Sequence, residues 1–202
     1  MALQYSANMR NSHLSALSTA LGAGFTVDWW SGTAPANVAA ATTGTKLASW
    51  TGCNFGTPSA GSMALSALVS TTALAANGGA LGYARLTTSG GTAVAQVLMG
   101  QAQTLNTSAS TAVGSAVLNF ASAVDTTLIR AGMTVSGTNI PGGALVASVS
   151  GSAVTLTAPV AALVASATAV TFTPDMAIDN ANVAVGQTVQ LTTSTTITAG
   201  NT

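Results

Sequence analysis

The sequence predicts a mainly β protein that carries one helix, at its N-terminus. Three observations lead there. Only the first two dozen residues space their apolar side chains as a helix does. From Gly24 onward Thr, Val, Ala and Ser dominate, in short runs broken by Gly, Asn or Pro. The longest wholly apolar stretch, Val160 to Ala165, falls far short of the roughly 18 residues that a membrane-crossing helix needs.

The helix comes first. Met9, Leu14, Leu17 and Leu21 fall close to one face, Ser6 or Asn8 suits the N-cap, and Gly22 and Gly24 suit the stop. Strands are then expected at Phe25–Trp30, Lys46–Thr51, Met63–Val69, Ala80–Thr87 and Thr92–Met99. In the first of these, alternation puts Phe25, Val27 and Trp29 on one side. Ser89-Gly90-Gly91 reads as a hairpin loop. The Ala-rich stretch Ala34–Thr43 has the propensity for helix. Pro35, Asn37 and the closing Thr42-Thr43-Gly44 favour an extended loop instead.

A second group of strands is expected at Val113–Phe120, Met133–Ser136, Ala144–Val149, Ala153–Thr157 and Ala169–Thr173. The turns Gly137-Thr138-Asn139, Pro141-Gly142-Gly143 and Ser150-Gly151-Ser152 separate them, a spacing that suits a small sandwich or barrel. The tail offers Ala181–Val185, Thr188–Thr192 and Thr195–Thr198. One echo stands out. Ala131-Gly132-Met133-Thr134-Val135 matches Val185-Gly186-Gln187-Thr188-Val189, a Gly-x-Thr-Val turn that enters a strand. Two short matches point to one turn solution used twice rather than to a repeat fold.

Charge narrows the function. Only 4% of the 202 residues are Asp, Glu, Lys or Arg, against roughly 25% in ordinary domains. There is no Glu, and Arg10, Lys46, Arg85 and Arg130 balance Asp28, Asp125, Asp175 and Asp179 to a net charge of zero. Such a chain has little repulsion to keep copies apart. It also has no basic footprint for nucleic acid. A membrane barrel would want aromatic girdles, and nine unevenly placed aromatic residues supply none.

The inventory for catalysis is nearly empty. His13 is the one histidine, with no orienting acid in a local motif. Cys53 is the one cysteine, so it forms no intrachain disulfide and reads as an inert thiol. Asp175, Asp179 and Asn180 fit solvated turn positions better than a glycosidase pair or a calcium loop. Asn77-Gly78-Gly79 lacks the Lys and the helix of a phosphate loop and reads as a turn. The expectation is a non-enzyme with no catalytic residue, no metal and no cofactor. Asp28-Trp29-Trp30 is the most conspicuous cluster. Adjacent tryptophans on a strand face opposite sides, so one enters the core while the other reaches the outer face. Trp29, Trp30 and Trp50 are therefore the interface candidates, with a sugar platform, and hence a carbohydrate-binding module, as the alternative.

Several stretches resemble small structural proteins of tailed bacteriophages. They are Leu3-Gln4-Tyr5-Ser6, Met9-Arg10-Asn11 with Leu14 and Leu17, and the turn Trp30-Ser31-Gly32-Thr33-Ala34-Pro35-Ala36-Asn37. Gly44-Thr45-Lys46-Leu47-Ala48, Ala80-Leu81-Gly82-Tyr83-Ala84-Arg85-Leu86 and Val185-Gly186-Gln187-Thr188-Val189 continue the likeness. Between them, Ala116–Phe120, Gly132–Pro141 and Val154–Leu156 resemble a β-module that recurs in phage head and tail proteins. The resemblance implies a β-sandwich-like module split as 1–104 plus 175–202, with a second small β-module at 105–174 inserted before the C-terminal strands. It also implies a virion structural protein at the capsid surface or the neck and tail, foremost a capsid decoration or cement protein. A neck, tail or tail-fibre-base protein is the alternative. The implied partners are other virion proteins, the major capsid protein or neck and tail proteins, and further copies of the chain. No nucleic acid and no membrane span are expected.

Overall fold

The computed structural model describes residues 5–67, 72–123, 126, 128–178, 182–191 and 195–199. The fold is mainly β, with one N-terminal helix and several antiparallel sheets. The chain divides into two compact units, 1–99 with 180–202, and 100–179.

The first unit opens with α1 (Ala7–Leu21). Ser6 caps it by accepting the Met9 N–H at 3.3 Å, and Gly22, with φ 71°, ends it. The buried line is not the expected one. Leu14 and Leu21 are buried and Leu17 is half-buried, but Met9 is 47% exposed. Five residues separate Met9 from Leu14, which turns it roughly 140° away around the helix. Arg10, one turn before Leu14, is half-buried in its place.

Strands β1 (Phe25–Ser31), β2 (Lys46–Phe55), β3 (Ser62–Ala67), β4 (Thr72–Leu74), β5 (Gly79–Thr87) and β6 (Ala93–Gly100) follow. The second unit holds β7 (Gln103–Asn106), β8 (Val117–Asn119), β9 (Thr134–Gly137), β10 (Val146–Ser150), β11 (Ala153–Leu156), β12 (Ala169–Thr173) and β13 (Met176–Ala177). The chain then returns to the first unit with β14 (Asn182–Val183), β15 (Thr188–Gln190) and β16 (Thr196–Thr198).

In the first unit the main sheet runs β6-β5-β1-β2-β3-β16, all antiparallel, with β14 beside β5 and a separate β4–β15 pair. The register explains its core. Val27 lies between Trp50 and Leu86, and Trp29 between Ala48 and Ala84. With Phe25 these side chains form one buried face. The β5–β6 hairpin closes at Ser89-Gly90-Gly91, where Thr88 and Thr92 exchange bonds across the turn. Ala34–Thr43 is a loop, as its Pro and Asn require. Asn37 Oδ1 accepts the Ala39 and Ala40 N–H groups, a local bond that competes with helix.

The second unit stacks two three-stranded sheets, β10-β11-β8 and β7-β12-β9. Phe120, just past β8, meets Phe172 of β12 edge to face at 5.6 Å. A bridge between Thr134 and Leu145 joins the two sheets at one edge. Leu118, Met133, Val154, Val164, Val170 and Phe172 are fully enclosed. The expected strand Val113–Phe120 shrinks to Val117–Asn119. Gly114, at φ 83°, and the Ser115 N–H to Ala112 O bond make a turn before it.

The Gly-x-Thr-Val echo is one structural device used in both units. Met133 N bonds Arg130 O, and Gln187 N bonds Ala184 O. Gly132 N and Val146 N then pair with Val146 O and Met133 O. In the other unit Gly186 N and Ala75 N pair with Ala75 O and Gln187 O. Both glycines take positive φ, which a Cβ would oppose. The strands β4, β7 and β13 were not foreseen. The ends of three expected strands (Leu68 and Val69, Ala181, Thr192) lie outside the described residues, as do Asp125, Asp179 and Asn180.

Candidate functional site

The expected interface residues divide. Trp29 and Trp50 are each 3% exposed, with ring centroids 4.5 Å apart. They fill the core of the first unit, because β1 and β2 place both on the buried face. They are not surface anchors. Trp30 is on the other face and half-buried. Tyr83 lies nearly parallel to it at 6.4 Å, and the Lys46 ammonium is 5.5 Å from its centroid. The ring is engaged within the chain, and none of the three offers a sugar an open platform.

Around Trp30 the sheet gathers most of the first unit's charge. Asp28 sits opposite Ser49 on one side and Arg85 on the other. Ser49 Oγ donates to Asp28 Oδ1 at 2.6 Å and Lys46 Nζ to Oδ2 at 2.9 Å. Arg85, 7% exposed, turns instead to the loop. Its two Nη atoms each donate to Ala40 O at 3.1 Å, and Nη2 also reaches Gln96 Oε1. Gln96 Nε2 donates to Pro35 O. Tyr83 Oη accepts from Thr43 N at 3.0 Å and donates to Thr43 O at 2.9 Å. Gly82 lets Gly32 O approach so closely that any Cβ there would collide with it. The cluster fastens residues 32–45 over the sheet. Within it the Asp28 carboxylate is taken up by Ser49 Oγ and Lys46 Nζ, and the Arg85 guanidinium by the loop and Gln96.

The other titratable groups stand apart. His13 is exposed and meets only the Tyr5 ring, edge to face at 5.2 Å, among its aromatic contacts. Cys53 is fully enclosed, and burial pushes its thiol up to about 11. Its Sγ–H points at Trp50 O, 3.6 Å away. A thiol held neutral in this way is a poor nucleophile. Among the described residues no three His, Cys, Asp or Glu side chains converge, and no helix is long and apolar enough to cross a membrane.

The surface feature that does stand out is in the second unit. Residues 111–115 pair with 160–164 through Thr111 N to Val164 O, Val164 N to Thr111 O, Gly114 N to Val160 O and Val160 N to Ser115 O, at 2.8–3.1 Å. Thr111 Oγ1 donates to Val117 O, which draws the start of β8 to the same ribbon. Val160 and Val164 point inward and are buried. Val113 is 63% exposed, Leu163 54% and Val117 37%. Five large apolar side chains are exposed among the described residues, and three are these, so the exposed apolar surface is concentrated here. Ala112, Pro159, Ala161 and Ala162 are exposed beside them. No charged residue occurs between Arg85 and Asp125 or between Arg130 and Asp175, so both strips of the ribbon are free of charge.

Sequence reasoning missed this ribbon because it assigned no element to Val160–Ala165 and ran Val113–Phe120 as one continuous strand. The one available signal was the Val113-Gly114 step, where a glycine breaks the run and turns Val113 outward. Comparison with protein-family models, with curated proteins and with solved structures finds no match for this chain.

Proposed function

We propose that this chain is a structural subunit of a tailed-phage virion, foremost a capsid decoration or cement protein that ties neighbouring subunits together by surface contact. The observation that carries the reading is the charge-free apolar ribbon of Val113, Val117 and Leu163. Arg10, Asp28, Arg85 and Arg130 are buried or half-buried, and Lys46 pairs with Asp28. Contact through such a surface gains from removing apolar area from water, about 25 cal/mol per Å2. It depends little on salt, because few ion pairs are there to be screened. The virion assignment itself rests on the turn-and-strand signatures that resemble phage structural proteins.

The ribbon holds eight exposed residues, Ala112, Val113, Gly114, Val117, Pro159, Ala161, Ala162 and Leu163, against the roughly 20–30 per side of a stable interface. It suits a contact repeated over many copies in an assembly better than one isolated pair. The test is the density around this chain in images of intact particles. Many copies spread over the head, with the ribbon facing a neighbour, is the expected result. Density at the neck or tail would move the subunit there, and absence from the particle would remove the reading.

A further inference from the structure

We propose that Asn77 is a site of spontaneous deamidation, an ageing switch that adds charge to a neutral chain and loosens one corner of the first unit. Asn77-Gly78 is the one Asn-Gly step among the 202 residues. It occupies an exposed bend between β4 and β5. Gly78 has no side chain to shield its nitrogen, and among the described residues its N–H makes no hydrogen bond. The chemistry needs only base and water. The Gly78 amide nitrogen loses its proton to solvent base and attacks Cγ of Asn77. A C–N bond forms, the Cγ–Nδ2 bond breaks, and ammonia leaves with a proton from solvent. Water then opens the five-membered ring at either carbonyl, giving aspartate or, with one extra methylene in the main chain, isoaspartate.

The structure gives this change a consequence. The 76–77 bend is tied to β2 by two bonds, Ala76 N to Leu47 O and Asn77 Nδ2 to Lys46 O, both 2.9 Å. A carboxylate cannot donate, so the second bond is lost and its oxygen faces the Lys46 carbonyl instead. In isoaspartate the added methylene also shifts the chain just before Gly79 and Ala80, which pair with Val183 and Asn182 of β14. Gly78 itself is closely approached, since a Cβ there would lie 3.3 Å from Val183 O. The corner has little room to absorb a longer backbone. The net charge moves from zero to minus one, a large relative change for a chain with four acids and four bases.

The test uses the full chain. Wild type and N77Q are held at mildly alkaline pH, then mapped by peptide mass spectrometry with an isoaspartate assay. N77Q keeps an amide but forms the cyclic intermediate far more slowly. The expected result is an acidic species in wild type, mapped to Asn77 as a mixture of aspartate and isoaspartate, faster at alkaline than at mildly acid pH, and absent from N77Q. N77D, the product mimic, should fold and melt below wild type. Asn77 remaining intact, or an acidic species of equal yield in N77Q, overturns the site. N77D melting at the wild-type temperature overturns the loosening.

Discussion

Trp29 and Trp30 adjoin in the chain and lie on opposite faces of β1, and the sheet treats them differently. Trp29 packs into the core against Trp50, the two rings tilted 53° to each other. Trp30 completes the polar face with Tyr83 and Lys46. Replacing Trp29 or Trp50 by Ala should cost about 3–5 kcal/mol, the range for large core truncations, and Trp30→Ala distinctly less. Chemical denaturation checks the ranking, and equal costs would contradict the placement. Tyr83→Phe removes both bonds between the enclosed Tyr83 hydroxyl and Thr43 and should cost about 1–3 kcal/mol, the range for hydrogen-bond partners left unsatisfied. Faster exchange of the Thr43 amide would be its signature. Cys53 supplies a pH dependence. Its folded thiol titrates near 11, above its ordinary value of 9.0. Well below 9.0 the thiol is neutral in both states and the contribution to stability is flat. As pH climbs toward 11 the unfolded thiol ionises first, so stability falls. A Cys53→Ala or Cys53→Ser chain should lose that part of the alkaline fall, and an unchanged profile would contradict the burial of the thiol.

At the scale of elements, the C-terminal strands belong with the first unit. β14 pairs β5, β15 pairs β4 and β16 pairs β3. Deleting residues 175–202 should therefore destabilise residues 25–99, and a normal, cooperative melt in that truncation would refute the dependence. The second unit enters and leaves at one place, where Ile178 N donates to Gly100 O at 2.9 Å. A chain in which a short flexible linker replaces 101–177 should keep the first unit folded, as measured by its near-ultraviolet tryptophan signal. Much of this scale was legible in advance. The alternation Phe25, Val27, Trp29 and the turns at Ser89-Gly90-Gly91 and Ser150-Gly151-Ser152 carry their geometry in residue type alone. β7 and β13 were not legible. Gln103 and Asn106 have low strand propensity, and β7 forms because β12 offers it a ladder. The candidate surface was illegible for a related reason. Val113 and Leu163 are ordinary core residues by type, and only the tertiary fold leaves them outside. Trp29 and Trp50 show the converse: alternation says which residues share a face, and not which face the rest of the chain covers.

At the scale of the whole molecule, composition and surface tell the same story. A chain with four acids and four bases has little repulsion to keep its copies apart, and we propose the charge-free apolar ribbon as the place where they meet. Self-association should change little between low and high salt, since screening acts on charge. The most direct measurement is sedimentation velocity over a wide concentration range for wild type and for the double variant V113S/L163S. Wild type should sediment faster as concentration rises, while the double variant stays slow at every concentration and melts at the wild-type temperature. A wild-type chain that remains solitary at its highest concentration, or a double variant that associates as wild type does, would contradict the proposal that this ribbon is where the molecule works.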